Sequence, residues 1–205
     1  MQTKLLNKKI GLYFGSFNPI HYGHLIVANK AQQDMNLDEV WFVVSPQNPH
    51  KKNSGTLEDE NHRLEMVKIA IEDEPRFSAC DVEFQLPKPS YTHHALRILR
   101  KENPETNFYI IAGSDTQRKI GHWVSSDEIL EHHEVIVYPR SLSKKDLSWS
   151  LTPTTESKST YLKDAPVFDV SATYIREHIQ KNQSIRYLVP DQVIKYIKEN
   201  NLFKK

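Results

Sequence analysis

The sequence contains a single cysteine, and this scarcity excludes two kinds of structural support. With only Cys80 among its 205 residues, the chain cannot form an internal disulfide or a cysteine-rich zinc cluster. We expect Cys80 to be a thiol buried in a strand.

Long apolar runs and an excess of positive charge are also missing. No run approaches the roughly 20 residues that cross a bilayer, and no signal-like apolar block follows the first residues. We therefore predict a cytoplasmic protein without a membrane-spanning segment. The 27 Lys and Arg are balanced by 26 Asp and Glu, a formal net charge of +1. Because no overall field favours nucleic acid or an acidic membrane, any anionic ligand must be bound locally.

Glycine is scarce, and the six glycines do not form the common nucleotide-binding motifs. Neither G-x-G-x-x-G nor G-x-x-x-x-G-K-[ST] occurs, which excludes the usual dinucleotide and Walker-type sites. The histidine pairs at 93–94 and 132–133 are weak evidence for zinc, because adjacent residues on a helix point in different directions. We predict no metal site built from side chains.

Apolar and β-branched runs alternate along the chain with segments of helical period. Val27, Ala31 and Met35 follow one helical face, and residues 64, 67 and 71 follow another. Strands that alternate with helices indicate a parallel sheet, so the sequence predicts a single α/β domain over residues 1–205 with a doubly wound, Rossmann-like sheet. The predicted strands are residues 10–14, 40–45, 77–82, 108–112, 134–138 and 166–170.

The last third of the chain divides into a polar stretch and a helical part. Residues 141–164 are rich in Ser, Thr and Lys and predict a flexible loop. A small C-terminal helical part, residues 171–205, follows. Ser171 can cap a helix that runs to about Lys181, and Pro190 suits the first turn of a last helix that ends at about Asn200.

The run GSFNPIHYGH at residues 15–24 carries the chemistry. It follows an apolar strand and precedes an amphipathic helix, so His21 and His24 lie where unpaired N–H groups and a partial positive charge favour an anion. Gly15 and Gly23 let backbone approach a ligand closely, and Pro19 stiffens the turn. The segment predicts a phosphate site, although a single histidine here would more simply cap the helix or pack in the core.

These residues resemble a known signature. The pattern G-x-F-x-P-x-H-x-G-H is similar to that of the nucleotidyltransferase superfamily, whose members transfer a nucleotide from ATP or CTP and release pyrophosphate. The shorter H-x-G-H also occurs in class I aminoacyl-tRNA synthetases. This chain has no K-M-S-K-S-like loop and no anticodon-binding extension, which argues against a tRNA-charging fragment.

Later segments resemble the bacterial nicotinate mononucleotide adenylyltransferases over most of residues 9–200. Asn48-Pro49-His50-Lys51 is similar to the family's P-P-H-K loop, with Asn48 in place of the first proline. Val124 stands where the family carries a second aromatic residue. The remaining similar segments are Pro89-Ser90-Tyr91-Thr92, Gly113-Ser114-Asp115, His122-Trp123 and Ser171-Ala172-Thr173-Tyr174-Ile175-Arg176.

The resemblance implies attack by the 5′-phosphate of a pyridine mononucleotide on the α-phosphorus of ATP. A phosphate monoester has a second pKa near 6, so the nucleophile is already ionised at neutral pH and needs no general base. Catalysis then consists of aligning two anions and neutralising charge on the α-phosphate and the departing pyrophosphate. Mg²⁺ is expected with ATP, held by phosphate oxygens and water.

The resemblance also implies roles for particular residues. His24 would hydrogen-bond the α-phosphate, His21 the triphosphate and Arg176 the β and γ phosphates, with Lys51 as a further cation. The implied ATP-binding residues are Gly15, Ser16, Phe17, His21, Gly23, His24, Gly113, Asp115, Ser171, Thr173 and Arg176. The implied acceptor-binding residues are Tyr91, Thr92, Trp123 and Arg140.

Several of these residues have plainer alternatives. Trp123 is equally consistent with a partly buried core residue, Asp115 with a helix start, and Arg140 with a solvated loop position. Nicotinate mononucleotide is the first choice of acceptor. Nicotinamide mononucleotide, phosphopantetheine and cytidylyl transfer are alternatives, and a regulatory module that binds a nucleotide without turnover is an alternative of another class.

Overall fold

A parallel sheet forms the centre of the computed structural model, which describes residues 7–47, 56–139, 159–166 and 170–204. Within these residues six strands pair in the order β3-β2-β1-β4-β5-β6, all parallel. The strands are β1 Lys8–Gly15, β2 Glu39–Val44, β3 Phe77–Cys80, β4 Thr106–Gly113, β5 Glu134–Tyr138 and β6 Ser159–Tyr161.

The strand order reverses between β1 and β4, which are hydrogen-bonded neighbours although two strands separate them in sequence. This arrangement confirms the predicted doubly wound, Rossmann-like fold. The connections that leave the carboxyl ends of β1 and β4 diverge to opposite sides, and the crevice between them is where such sheets bind ligands. Residues that follow Gly15 and Gly113 therefore lie at the expected place for a site.

Helices cover both faces of the sheet and bury two separate apolar clusters. Neighbouring residues of a strand alternate between the clusters, so that Ile111 packs in one and Ile110 and Ala112 in the other. This period of two follows from the pleat of the strand. The helices in the described residues are α1 Tyr22–Asp34, α2 Glu60–Ala70, α3 Thr92–Glu102, α4 Ser114–Gln117, α5 Ser126–His132, α6 Ala172–Gln180 and α7 Asp191–Glu199.

The C-terminal helices follow the predicted capping. The Ser171 side chain accepts a hydrogen bond of 3.2 Å from the backbone N–H of Tyr174, and Pro190 immediately precedes α7. The end of the chain folds back onto the rest, because the N–H of Phe203 donates to the Glu58 carboxylate at 2.8 Å. Across the described segments, no helix combines the length and apolar character that a bilayer crossing requires.

Three details differ from the sequence prediction. Ser159–Tyr161 forms β6, although it lies inside the segment predicted as a loop. Pairing with β5 stabilises this short edge strand, and its own residues are only partly buried, so its sequence carries a weak strand signal. Val82 belongs to a 3₁₀ turn, and Pro166 and Val170 lie outside the strands. The rest of the predicted loop, residues 141–158, and residues 167–169 lie outside the described residues.

Candidate active site

The loop between β1 and α1 is shaped by close packing around one aromatic ring. Phe17 is 1% exposed and adopts a left-handed backbone conformation with φ of 43°. Its ring lies against Gly15, where an added Cβ would come within 2.8 Å of the Phe17 Cζ atom. Gly15 is therefore needed here for packing, because any side chain would displace the ring that sets the course of the loop.

The two histidines of the loop stack on each other at the start of α1. Their ring centroids are 3.8 Å apart, with 30° between the planes. His21 precedes the helix in an extended conformation, and its backbone N–H donates to Nδ1 of His24 at 3.3 Å. His24 thus makes a capping contact at the start of α1, and this bond orients the ring from its Nδ1 side; its contact with a phosphate stays a prediction.

Gly23 provides the space that the stacked rings need. A Cβ at this position would lie 2.9 Å from Nδ1 of His21, closer than real Cβ contacts come. The sequence-based interpretation of Gly23 as a point of close approach to a ligand stays a prediction. The structure adds a second requirement, since the glycine leaves room for His21 itself.

Arg176 reaches the same loop from 158 residues away in the sequence. Its Nη1 donates to the backbone carbonyl of Asn18 at 2.8 Å, and its Nη2 donates to the Thr173 hydroxyl at 3.2 Å. Partial burial lowers the pKa of Arg176. The structure therefore brings a guanidinium and two imidazoles to one loop, as the sequence predicts.

Asn18 joins this loop to the segment before α2. Its side chain is 5% exposed, donates to the carbonyl of Thr56 at 2.8 Å and accepts from the N–H of Glu58 at 3.1 Å. Arg176 is therefore bound to a loop that is also hydrogen-bonded to the segment before α2.

Arg63, on α2, is a buried cation beneath the loop that the sequence analysis missed. It is 0% exposed, and Nε donates to the carbonyl of Glu58 at 2.9 Å, while Nη1 donates to those of Ser16 and Ser45 at 2.7 Å each. Nη2 donates to the carbonyl of Pro46 at 2.8 Å. Burial lowers its pKa to about 10, so the guanidinium remains charged at neutral pH.

The only sequence signal for Arg63 is its position. It shares a helical face with Val67 and Ala70, both of which are buried. A charged residue on an apolar helix face can be recognised as buried only when its hydrogen-bond partners are known. The partners of Arg63 are backbone carbonyls, which no sequence pattern identifies.

A pocket opens at the carboxyl ends of β1 and β2, beside the start of α3. Its volume is about 180 Å³, and it contains the predicted residues Tyr91, Thr92 and Trp123. A helix N-terminus at a pocket favours an anionic group, because its first N–H groups lack partners within the helix. The complete lining is Phe14, Gly15, Ser45, Glu83, Ser90, Tyr91, Thr92, Thr116, His122, Trp123 and Val124.

Trp123 has the partly buried position of the plainer alternative, and its stacking on an acceptor ring stays a prediction. The indole is partly buried against the apolar cluster that contains Ile110, and it also lines the pocket. Val124, next to it, is 52% exposed. In this part of the pocket, the Trp123 indole forms an aromatic wall, and the smaller Val124 side chain lies at the exposed rim.

Glu83 is a second pocket residue that the sequence analysis missed. It is 2% exposed, accepts a hydrogen bond of 2.7 Å from the Ser90 hydroxyl and lies beside Ser45 in the lining of the pocket. Burial raises the pKa of this carboxyl. It alternates with the apolar residues Val82 and Phe84, a pattern that assigns Glu83 to a solvent-facing side and does not distinguish it from a solvated glutamate.

The other predicted positions fall into two groups. Gly113 ends β4 and Asp115 lies in the first turn of α4, which places both at the reversal of the strand order and agrees with the helix-start alternative for Asp115. Lys51 and Arg140 lie outside the described residues. Within the described parts of the chain, no group of three or more His, Cys, Asp or Glu residues has the arrangement of a metal site.

Comparisons with known proteins find relatives that match most of the chain. The family model described as cytidylyltransferase-like matches residues 12–178. A relative from Cytophaga hutchinsonii, named as a probable nicotinate-nucleotide adenylyltransferase, is 46% identical over 185 residues, which cover 90% of this chain and 93% of the relative. A relative of the same name from Flavobacterium johnsoniae is 42% identical over 96% of this chain and 100% of its own length.

Solved structures share the fold. The nicotinic acid mononucleotide adenylyltransferase of Plasmodium falciparum complexed with NaAD matches with a TM-score of 0.77 at 23% identity, covering 96% of this chain and 97% of that one. The same enzyme complexed with APC gives a TM-score of 0.76 at 22% identity. On the extent of the family-model match and the identity to full-length relatives, the chain belongs to the cytidylyltransferase-like family and, within it, to the nicotinate-nucleotide adenylyltransferases.

Proposed function

We propose that the chain transfers the adenylyl group of ATP to nicotinate mononucleotide, giving deamido-NAD and pyrophosphate by direct in-line attack. The observation that carries the proposal is the hydrogen bond from Arg176 to the Asn18 carbonyl. It places a guanidinium on the loop whose other end presents His21 and His24. Three nitrogen-bearing side chains around one loop, at the strand-order reversal, form a site suited to a polyphosphate.

The proposed roles follow from this placement. Because Nδ1 of His24 accepts from backbone, Nε2 is the nitrogen that would donate to the α-phosphate as charge develops there. His21 would contact the triphosphate, and Arg176 would bind its β and γ phosphates. Lys51 would add a cation. The backbone around Gly15, Ser16, Phe17 and Gly23, together with Gly113, Asp115, Ser171 and Thr173, would contact ATP.

The acceptor would occupy the pocket at the start of α3. Tyr91 and Thr92 begin that helix, whose positive N-terminal end favours a carboxylate over a neutral amide. This preference supports nicotinate over nicotinamide, and it agrees with the names of the curated relatives. Trp123 would stack on the pyridine ring, and Arg140 would contact the acceptor phosphate.

Mg²⁺ would accompany ATP in this proposal. The described part of the site offers imidazole, guanidinium and N–H donors without a carboxylate cluster, a set that suits an ion held by phosphate oxygens and water. When bound, Mg²⁺ would neutralise charge on the departing pyrophosphate.

The test is pyrophosphate release from ATP with nicotinate mononucleotide, nicotinamide mononucleotide or phosphopantetheine, each compared with a reaction without acceptor. We expect the highest kcat/KM with nicotinate mononucleotide. Absence of pyrophosphate with every acceptor would favour the regulatory nucleotide-binding module instead.

A histidine variant tests the proposed mechanism. We expect His24→Ala to lower kcat by about 10²-fold or more, the scale for removal of a preorganised transition-state donor, with the melting temperature nearly unchanged. His132→Ala, at an exposed position on α5, is the matched control and should retain full turnover. Near-normal turnover of His24→Ala would remove this residue from the mechanism.

A further inference from the structure

We propose that Glu83 is a positioning residue for the acceptor half of the active site, because its buried carboxyl joins the segment that begins α3 to the carboxyl end of β2. This inference rests on the proposed function, since it concerns the pocket assigned there to the acceptor. Glu83 acts in this proposal through Ser90 and Ser45 and not through the reacting atoms.

The carboxyl connects residues that are distant in the sequence. The Ser90 hydroxyl donates to Oε2 of Glu83 at 2.7 Å, and Ser45 lies beside the same carboxyl in the lining of the pocket, where its side chain lowers the pKa of Glu83. Glu83 and Ser90 are 2% and 4% exposed, so water does not compete for the bond between them. A buried hydrogen bond of this kind is electrostatically stronger than one in water, and leaving either partner without it is costly.

The backbone of Ser45 contacts residues on the proposed ATP side of the site. Its N–H donates to the carbonyl of Gly15 at 2.9 Å, and its own carbonyl accepts from Arg63 at 2.7 Å. Ser45 therefore lies beside Glu83, while its backbone is hydrogen-bonded to Gly15, the last residue of β1, from which the loop to His21 begins.

The segment between Glu83 and α3 is also held by the exposed ion pair of Lys88 with Glu60 and by Phe84, which packs against the apolar core. Pro87 and Pro89 have no backbone N–H and so cannot donate to neighbouring strands or turns. Ser90 directly precedes Tyr91 and Thr92, whose side of the pocket would receive the acceptor. The bond to Glu83 adds a buried polar contact that sets where the first turn of α3 begins relative to the loop of the histidines.

The test separates positioning from general stability by measuring both substrates. We expect Glu83→Ala to raise the KM for nicotinate mononucleotide about tenfold, the scale of one lost buried hydrogen bond, with the KM for ATP changed by less than about twofold. Ser90→Ala should act in the same direction. The double variant should be no worse than Glu83→Ala alone, because both substitutions remove the same bond.

Two further variants complete the design. Glu83→Gln retains one oxygen that can accept from Ser90 and should recover part of the affinity for the acceptor. Glu134→Ala is the matched control, because Glu134 also accepts from a hydroxyl, that of Thr160, but lies at the first residue of β5, at the opposite end of the strand from the site. Both KM values should be unchanged in this control.

The outcomes are distinct from those that test the proposed function. An inactive wild-type chain would overturn the proposed function. An active wild type with an unchanged acceptor KM in Glu83→Ala would overturn the role of Glu83 alone. Equal increases in both KM values, in proportion to a loss of melting temperature, would show a merely structural role and also overturn it. If Glu83→Ala does not fold, Glu83→Gln and Ser90→Ala decide by the same criteria.

Discussion

Replacement of Arg63 by methionine tests whether a buried cation holds the loops of the site together. Methionine has similar length and no donor, so the carbonyls of Glu58, Ser16, Ser45 and Pro46 all lose a hydrogen bond from this side chain. These carbonyls belong to the two loops that leave β1 and β2 and to the segment before α2. The substitution therefore acts on three parts of the site at once.

The expected loss of stability follows from the four bonds. An unsatisfied buried carbonyl costs about 1 kcal/mol or more, which sums to about 4 kcal/mol. Removing the charge also removes the desolvation cost of a buried guanidinium, which offsets part of that sum. We expect the free energy of unfolding to fall by about 3 kcal/mol in Arg63→Met. Arg63→Lys keeps the charge but cannot reproduce the planar fork, so its loss should be about half as large.

Urea denaturation of the wild type and the variants measures these differences. Arg97→Met is the control, because Arg97 is exposed and its pair with Glu128 lies on the surface, where ion pairs contribute about 1 kcal/mol or less. A free energy of unfolding for Arg63→Met within about 0.5 kcal/mol of wild type would refute the reasoning. It would mean that the four carbonyls find other partners when the guanidinium is removed.

Three other features of the chain make separate predictions. Gly23→Ala should lower turnover about tenfold, because its Cβ would displace His21, whereas Gly121→Ala, with no atom within 4 Å, should not; full turnover of Gly23→Ala would contradict the packing argument. Burial lowers the pKa of His133, so below its ordinary value of 6.5 the unfolded chain binds the proton first and stability falls as pH falls. Urea unfolding between pH 7 and pH 5 should therefore show a smaller decline for His133→Asn, and equal declines would contradict this. Burial raises the pKa of Cys80 to about 11, so iodoacetamide at pH 8 should modify the native thiol far more slowly than the unfolded one, and equal rates would contradict this.

The strands that sequence predicts well are those whose own residues fill the core. The prediction for residues 134–138 coincides with β5, β1 and β4 each include the run expected of them, and β2 includes its run except for the last residue, Ser45. Val135, Ile136 and Val137 are all fully buried, which is why a short apolar run marks the strand. β6 lacks this signal, because Ser, Thr and Tyr at a sheet edge depend on the neighbouring strand for their conformation.

Prediction of the site residues from sequence is limited in the same way. A local motif carries His21 and His24, and a capped helix carries Arg176, so each can be found in the sequence. Arg63 and Glu83 are ionisable residues whose burial depends on carbonyls and hydroxyls brought from other elements. A sequence pattern distinguishes apolar from polar positions. A polar residue whose buried hydrogen-bond partners are distant in the sequence is therefore predicted to be exposed.

The two missed residues explain how the predicted ones are held in place. In-line transfer between two anions requires that the reacting groups be held to within about 0.5 Å. Side chains on loops achieve this only if the loops are fixed from beneath. Arg63 and Glu83 carry opposite formal charges and meet at Ser45, because Arg63 donates to its carbonyl and Glu83 lies beside its side chain. Ser45→Ala removes the hydroxyl and keeps the carbonyl, so it should weaken acceptor binding as Ser90→Ala does and leave the loop contacts of Arg63 intact. If the proposed assignment of the two substrates holds, Arg63 and Glu83 form a frame in which the ATP half and the acceptor half can be perturbed one at a time.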